Sequence, residues 1–279
     1  DKILSTGEFF IAGQRRGYRD SHKGGHGWVD LYSSIAESVN TYYYKLALDL
    51  GIKKFDFYMR QFGFGQATGI DLIGENIGIV ASAEWKRMRL KQPWLKGETV
   101  IAGIGLGYWV VTALQLAQGT ASLANGGNRI PLRIVKQTHT GLNQPWLALE
   151  KPASVSIGAS QKHLDAIQRG MQDTMQSPRG TGYSIGKNAP YTIAGKTGTV
   201  QKISRKGNIS SDPKNLPLHL RHQALFIGYA PVEDPKIALI VIVEHGGYGS
   251  STAGPIARKM MDAYLLGTPA PEPVVAVEP

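Results

Sequence analysis

The hydrophobic period of this chain changes about two-thirds of the way along, and that change limits the folds open to it. Between residues 31 and 176 apolar side chains recur mostly at helical spacing. Three later runs, YTIAGKTGTVQ (191–201), HQALFIGYAP (222–231) and PKIALIVIVEHGG (235–247), are rich in β-branched and aromatic residues and read as strands. The short link VEDP (232–235) makes the second and third an antiparallel hairpin. A helix over GPIARKMMDAYLLG (254–267) follows. Helices, then an antiparallel sheet, then a closing helix is an α+β order, not the alternating βαβ order of a parallel sheet.

Local signals place the remaining elements. Residues 1–30, rich in Gly, Arg and His, read as loop. A helix covers 31–50 and ends at Gly51, and a second covers about 52–62. Ser82 caps the short helix AEWKRMR. Thr112 caps a longer one, in which Leu114, Ala117, Ala121 and Ala124 lie near one face and Gly126-Gly127 stop it. NRIPLRIVKQT (128–138) reads as a strand and 139–158 as loop. Ser160 reads as the cap of an amphipathic helix reaching Gln176, and Gly246 to Gly254 as loop. The expected organisation is one domain over 1–266 and a Pro-rich, disordered tail over 267–279.

Composition removes several functions. The chain of 279 residues, 42% hydrophobic, can bury a sizeable core. It has no cysteine, so disulfides, thiolate catalysis and cysteine zinc sites are excluded. The formal charge of +10 suits a basic soluble domain or one that meets a polyanion. The basic residues are scattered and accompany no recognition motif, so no nucleic-acid partner is expected. The longest apolar run, Ile237 to Val243, is seven residues, against the ~20 a membrane-spanning helix needs. The chain opens on Asp1 without a signal peptide and reads as a piece of something longer.

The stretch YTIAGKTGTVQK admits two readings. A phosphate-binding loop needs G-x-x-x-x-G-K-[ST] followed by a helix. Here the first glycine position is Pro190, and GTVQKISRKG after the motif has no helical period. Read as a strand, the stretch presents Lys196, Thr197 and Thr199 around Gly198, where a missing side chain allows a close backbone approach. An extended peptide could lie along such a strand. Lys196 would attract a terminal carboxylate, the two threonine hydroxyls could hydrogen-bond it, and the Thr199 N–H could face an oxyanion. An exposed edge strand with a solvated lysine is the bland alternative. Upstream, Ser38-Val39-Asn40 is the only Ser-x-Asn in the chain. It interrupts a helical stretch, DLYSSIAESVNTYYYKLALDLG, at residue types that prefer caps to helix interiors.

Ser-x-Asn followed by Lys-Thr-Gly resembles the second and third motifs of serine penicillin-binding proteins and β-lactamases, whose first motif is Ser-x-x-Lys. FGFGQATGIDLIGENIGIVASAEWK, GETVIAGIGLGYWVVTALQLAQGTASLANGG, AGKTGTVQ and VEHGGYG extend the resemblance over about residues 1–266. Together with YRDSHKGGHGWVDL they are similar to the transpeptidase domain of class B penicillin-binding proteins of the elongation, rod-shape type. The resemblance implies an antiparallel sheet flanked by helices, and it departs from the family in one respect. No Ser-x-x-Lys occurs in residues 1–37. The matches at Ser184–Lys187 and Ser211–Lys214 contain or precede Gly and Pro, and neither suits the helix that would put serine and lysine one turn apart. The expectation is that the nucleophile segment, a pedestal and a membrane anchor precede Asp1, and that this chain alone cannot be acylated.

What the resemblance implies for chemistry is attack by the absent serine on the penultimate D-Ala carbonyl of a peptidoglycan stem peptide. Ser38 would relay the proton to the leaving amine, and Asn40 would hold the lysine base and the substrate amide. Lys196, Thr197, Gly198 and Thr199 would bind the terminal carboxylate, with the Thr199 N–H in the oxyanion hole. β-Lactams would imitate the substrate and inhibit, no cofactor would be needed, and a membrane glycosyltransferase of the elongation machinery would be a partner. The protein would work at the periplasmic face of the inner membrane. A non-catalytic penicillin-fold sensor or scaffold and a serine β-lactamase stand as alternatives. Asp20, His22 and His26 have metal-ligand chemistry, but Gly24 and Gly25 deny them a helix, and they read as a polar loop without a metal. His219-x-x-His222 reads as a solvated approach to the next strand, and 203–220 as a long basic loop.

Overall fold

The structure is a computed structural model that describes residues 1–141, 143–200 and 216–267. Residues 1–30, expected as loop, hold two small antiparallel ladders: β1 (Ile3–Ser5) with β4 (Gly27–Val29), and β2 (Glu8–Phe9) with β3 (Tyr18–Arg19). The glycines there permit close packing rather than looseness. A side chain at Gly25 (φ +74°) would lie 2.1 Å from the Ser5 carbonyl. Strands of two or three residues carry no readable period, which is why the sequence reads as loop.

The helical region begins with α1 (Leu31–Ala36), capped by Asp30, whose carboxylate accepts from Ser33 N at 2.9 Å. After residues 37–39, α2 (Asn40–Gln61) follows and is interrupted at Gly51 (φ 73°, ψ 155°), so the two helices expected on either side of that glycine are present. α3 (Ala83–Leu90) has the Ser82 cap, at 3.1 Å from Trp85 N. α4 (Lys96–Ala102) is not legible in the sequence, because it is one short turn pair without a repeating apolar stripe. α5 (Ala113–Ala124) has the Thr112 cap, with Gln115 completing a capping box.

The buried face of α5 corrects the sequence reading. Gln115, Gln118, Gly119, Thr120 and Ser122 are buried, whereas Leu114, Ala117, Ala121 and Ala124 are only partly so. The Gln115 amide donates to the Gln66 and Ile77 carbonyls, and that of Gln118 to those of Thr68 and Ile130, all at 2.8–2.9 Å. Loop backbone beneath the helix must be satisfied somewhere, and two glutamines do it. The strand expected over 128–138 is broken into β5 (Asn128–Arg129) and β6 (Gln137–Thr138), with Pro131 between them. Within 139–158, β7 (Leu147–Ala148) pairs with β6, and β8 (Val155–Ser156) with β5.

α6 (Gln161–Gln176) has Ser160 at its cap position, but the hydroxyl makes no capping bond. A single turn, α7 (Tyr183–Gly186), precedes the sheet. The sheet has the order β11 (Ile237–Val243), β10 (Gln223–Ala230), β9 (Ala194–Val200), all antiparallel, as the sequence predicts. Where a loop was expected after Gly246, residues Gly249–Ala253 form a π-helical turn that leads into α8 (Gly254–Leu266). The segment 268–279 lies outside the described residues, and Gly267 is the left-handed cap of α8.

The sheet is buried on both faces, which explains the near-continuous apolar composition of β10. Ala224, Phe226 and Ala230 pack with Ala257 and Met261 of α8. Tyr229 and Ala194 pack on the other face with Ile35 of α1 and Met171 of α6. Gly170 lets α6 meet α1 closely, since a side chain there would lie 2.6 Å from Ile35 Cδ1. This second cluster fixes the end of α1 against β9. Among the described residues no helix is long and apolar enough to cross a membrane.

Candidate active site

The two sequence motifs, far apart in the chain, meet. Lys196 lies in β9 opposite Ile227, two residues on from Ala194, so its side chain leaves the sheet on the α1 side. Its ammonium donates to Ser38 Oγ at 2.8 Å and to the Thr197 carbonyl at 2.8 Å. This strand position excludes a phosphate loop at Gly195-Lys196-Thr197.

Ser38 stands at the junction between α1 and α2 with φ +59°, in the left-handed region. For a residue with a Cβ that conformation costs about 1–2 kcal/mol, and such strain persists only where the surroundings impose it. The surroundings are specific. Ser38 N donates to the Ile35 carbonyl at 3.3 Å, Val39 N to the Ser34 carbonyl at 3.0 Å, and Val39 is fully buried. The kink turns the Ser38 hydroxyl out of the helix line and towards β9. Asn40, two residues on, is half-buried and opens α2.

The electrostatics of Lys196 come from burial. Desolvation pushes its ammonium down from the ordinary 10.5 to about 8, and among the described residues no carboxylate offsets it. The lysine, only partly exposed at the surface, therefore combines two properties: a positive potential, and a proton held loosely enough to move at mildly alkaline pH.

Thr197 and Thr199 are fixed from neighbouring segments. Thr197 Oγ1 lies 2.7 Å from Thr181 Oγ1, and Thr181 N donates to the Ala36 carbonyl at 3.0 Å. Thr181 thus ties β9 to α1 beside Ser38. Sequence reasoning missed it, because a threonine in SPRGTG looks like any loop threonine. Gly249 N donates to Thr199 Oγ1 at 3.4 Å. Gly249 packs closely on β9 beside Gly198, since a side chain at Gly249 would lie 2.4 Å from the Gly198 carbonyl. Among the described residues β9 is the edge strand of the three-stranded sheet, a position at which a further strand can pair.

Other candidates fall elsewhere. Ser184 lies in α7, a helical turn the sequence reading excluded, but Ser184 and Lys187 are both exposed, and Lys187 sits over the Tyr183 ring. Ser211–Lys214 and most of the 203–220 loop lie outside the described residues. His222 is 5% exposed, so it belongs to the interior and not to a solvated approach. Asp20, His22 and His26 form a compact structure rather than an open polar loop: His26 lies between Asp20 and Glu37, and the rings of His22 and His26 are 5.5 Å apart. Among the described residues no group of three His, Asp or Glu side chains is placed to hold a metal ion.

Comparison with known proteins agrees with this geometry. Residues 5–262 match the family described as the penicillin binding protein transpeptidase domain. The chain is 37% identical over 265 residues to the peptidoglycan D,D-transpeptidase MrdA of Haemophilus influenzae, an alignment covering 94% of this chain and 40% of the relative. It is 38% identical over 266 residues to the MrdA of Acinetobacter baumannii, covering 95% and 38%. A solved structure of Pseudomonas aeruginosa PBP2 in complex with WCK 5153 superposes with a TM-score of 0.81 at 37% identity, covering the whole of this chain and 57% of the other. The chain therefore spans about 40% of the length of the curated relatives it matches. With Lys-Thr-Gly on an edge strand and Ser-x-Asn at a helix junction against it, this chain belongs to the penicillin-binding protein transpeptidase domain family.

Proposed function

We propose that this chain forms the substrate-binding wall of a peptidoglycan D,D-transpeptidase that cross-links stem peptides during cell elongation. The observation that carries the reading is the 2.8 Å bond from Lys196 Nζ to Ser38 Oγ, which assembles the second and third motifs into one cleft beside an open strand edge. A stem peptide lies along β9, its terminal carboxylate near Lys196, Thr197 and Thr199. A serine from a Ser-x-x-Lys segment outside these 279 residues attacks the penultimate D-Ala carbonyl, and its lysine takes the serine proton. The oxyanion faces the Thr199 N–H. Ser38 passes a proton to the departing D-Ala amine, with Asn40 holding the lysine base and the substrate amide. A second strand's amine then takes the acyl group and releases the serine. β-Lactams acylate the same serine.

The site of action is the periplasmic face of the inner membrane, with an anchor outside this chain. The partners are a membrane glycosyltransferase and a scaffold. Two solved relatives support that part: a PBP2–MreC complex from Helicobacter pylori and a peptidoglycan synthase complex. The test is to sequence the gene upstream of the Asp1 codon and label its full product with fluorescent penicillin. A Ser-x-x-Lys segment and an adduct lasting many minutes are expected. A gene without that segment, or a product that takes no label, overturns the proposal in favour of a non-catalytic module, and rapid loss of label favours a β-lactamase.

A further inference from the structure

The Ser38–Asn40 junction is gripped on both sides by a buried polar chain that uses neither the substrate nor the nucleophile. On the C-terminal side, Asp20 Oδ2 accepts from Thr41 N at 2.8 Å and from Thr41 Oγ1 at 2.9 Å, so it caps the first turn of α2. Thr41 Oγ1 also lies 2.8 Å from Ser5 Oγ, and Ser5 Oγ accepts from His26 N at 3.2 Å. On the N-terminal side, Glu37 directly precedes Ser38, and its Oε2 accepts from Arg179 Nη2 at 2.8 Å. His26 connects the two sides. Its Nδ1 donates to Glu37 Oε2 at 3.1 Å, and its Nε2 stands 3.5 Å from Asp20 Oδ1. The side chains of Asp20, Glu37 and His26 are 0%, 10% and 12% exposed.

Two carboxylates and an imidazole out of water are costly where simple packing would serve. Their placement gives them a use. Between the two gripped positions lie Ser38, Val39 and Asn40, and of these Ser38 has positive φ. Contacts at Glu37 and at Thr41 restrain the backbone between them, where Ser38 is left-handed and its hydroxyl meets Lys196. We propose that Asp20, His26 and Glu37 are positioning residues that hold Ser38 in its left-handed conformation and thereby maintain the Ser38–Lys196 hydrogen bond. Their importance for acyl transfer rests on the function proposed above, whereas the geometry they hold does not.

The test uses this chain without any reaction. The Lys196 ammonium is followed through a pH titration by NMR with isotope-labelled lysine, its signal assigned by its absence in Lys196→Met. His26→Phe keeps an aromatic ring and removes both ring nitrogens, and His26→Gln keeps one amide donor for Glu37. If the grip fails, Ser38 withdraws, water reaches Lys196 Nζ, and the midpoint rises from about 8 towards 10.5. The expected rise is about one pH unit or more in His26→Phe, with partial rescue in His26→Gln. Glu37→Ala, at the rim, carries the same expectation should His26→Phe not fold. A folded His26→Phe or Glu37→Ala whose Lys196 midpoint stays at the wild-type value overturns the proposal. Because no acylation is read, this result and that of the penicillin labelling are independent.

Discussion

Replacing Lys196 by Met tests the electrostatics of the site most directly. The change keeps an unbranched side chain of similar length and removes the buried charge. In the folded chain the ammonium titrates at about 8, against 10.5 without burial. A displacement of that size corresponds to about 3 kcal/mol of stability lost to keeping the charge. The substitution also removes two charge-assisted hydrogen bonds, to Ser38 and the Thr197 carbonyl, together about 3 kcal/mol or more. Near neutral pH the two terms nearly cancel, so the net change diagnoses no cause. The pH dependence is the diagnostic. Below pH 8 both folded and unfolded chains hold the proton, and the whole cost is present. Between 8 and 10.5 the unfolded chain holds it and the folded chain has released it, so wild-type stability rises with pH. The rise is about 1.4 kcal/mol per pH unit, and Lys196→Met lacks it. Tyr43, Tyr44 and Tyr229, held up at about 12 by burial, act oppositely: above pH 10 they favour the unfolded chain, in both proteins alike. Urea unfolding of both proteins from pH 7 to 9.5 gives the difference. The variant should lose ground to the wild type steadily as pH rises above 8. Parallel stability curves would refute the assignment of a desolvated ammonium.

Three further changes probe other parts of the argument. Ser38→Gly relieves the left-handed strain that Ser38→Ala retains, so the glycine variant should be the more stable by about 1 kcal/mol in urea unfolding, the reverse of the order inside a helix. Glu98 accepts from the Tyr108 hydroxyl and pairs with the buried Lys86, so Lys86→Ala leaves it without its charged partner and should cost about 3 kcal/mol by thermal or urea unfolding. Gly249→Ala places a methyl 2.3 Å from the Leu225 carbonyl and should lower stability by about 2 kcal/mol, displacing Thr199, whose NMR signals should shift.

How far the sequence could be read depended on the range of the signal. The three strands and their hairpin were legible because each carries its own apolar run, and the Ser82 and Thr112 caps because the cap and its helix are contiguous. The junction at Ser38 was legible as a break in a helical period. The α5 face misled, because apolar spacing predicts burial only when nothing polar beneath needs a partner, and here loop carbonyls do. The ladders of residues 1–30, the single turn α7 and the two-turn α4 are too short to show a repeating period.

By itself, then, the sequence determined the α+β order and the residue types of the two motifs, since both are encoded in short contiguous stretches. Tertiary structure alone decided that Lys196 reaches Ser38, that its proton is loosened by burial, and that Thr181, Gly249, Asp20, His26 and Glu37 stand around them. Those facts depend on distances between segments up to 158 residues apart, and packing, not local propensity, sets such distances.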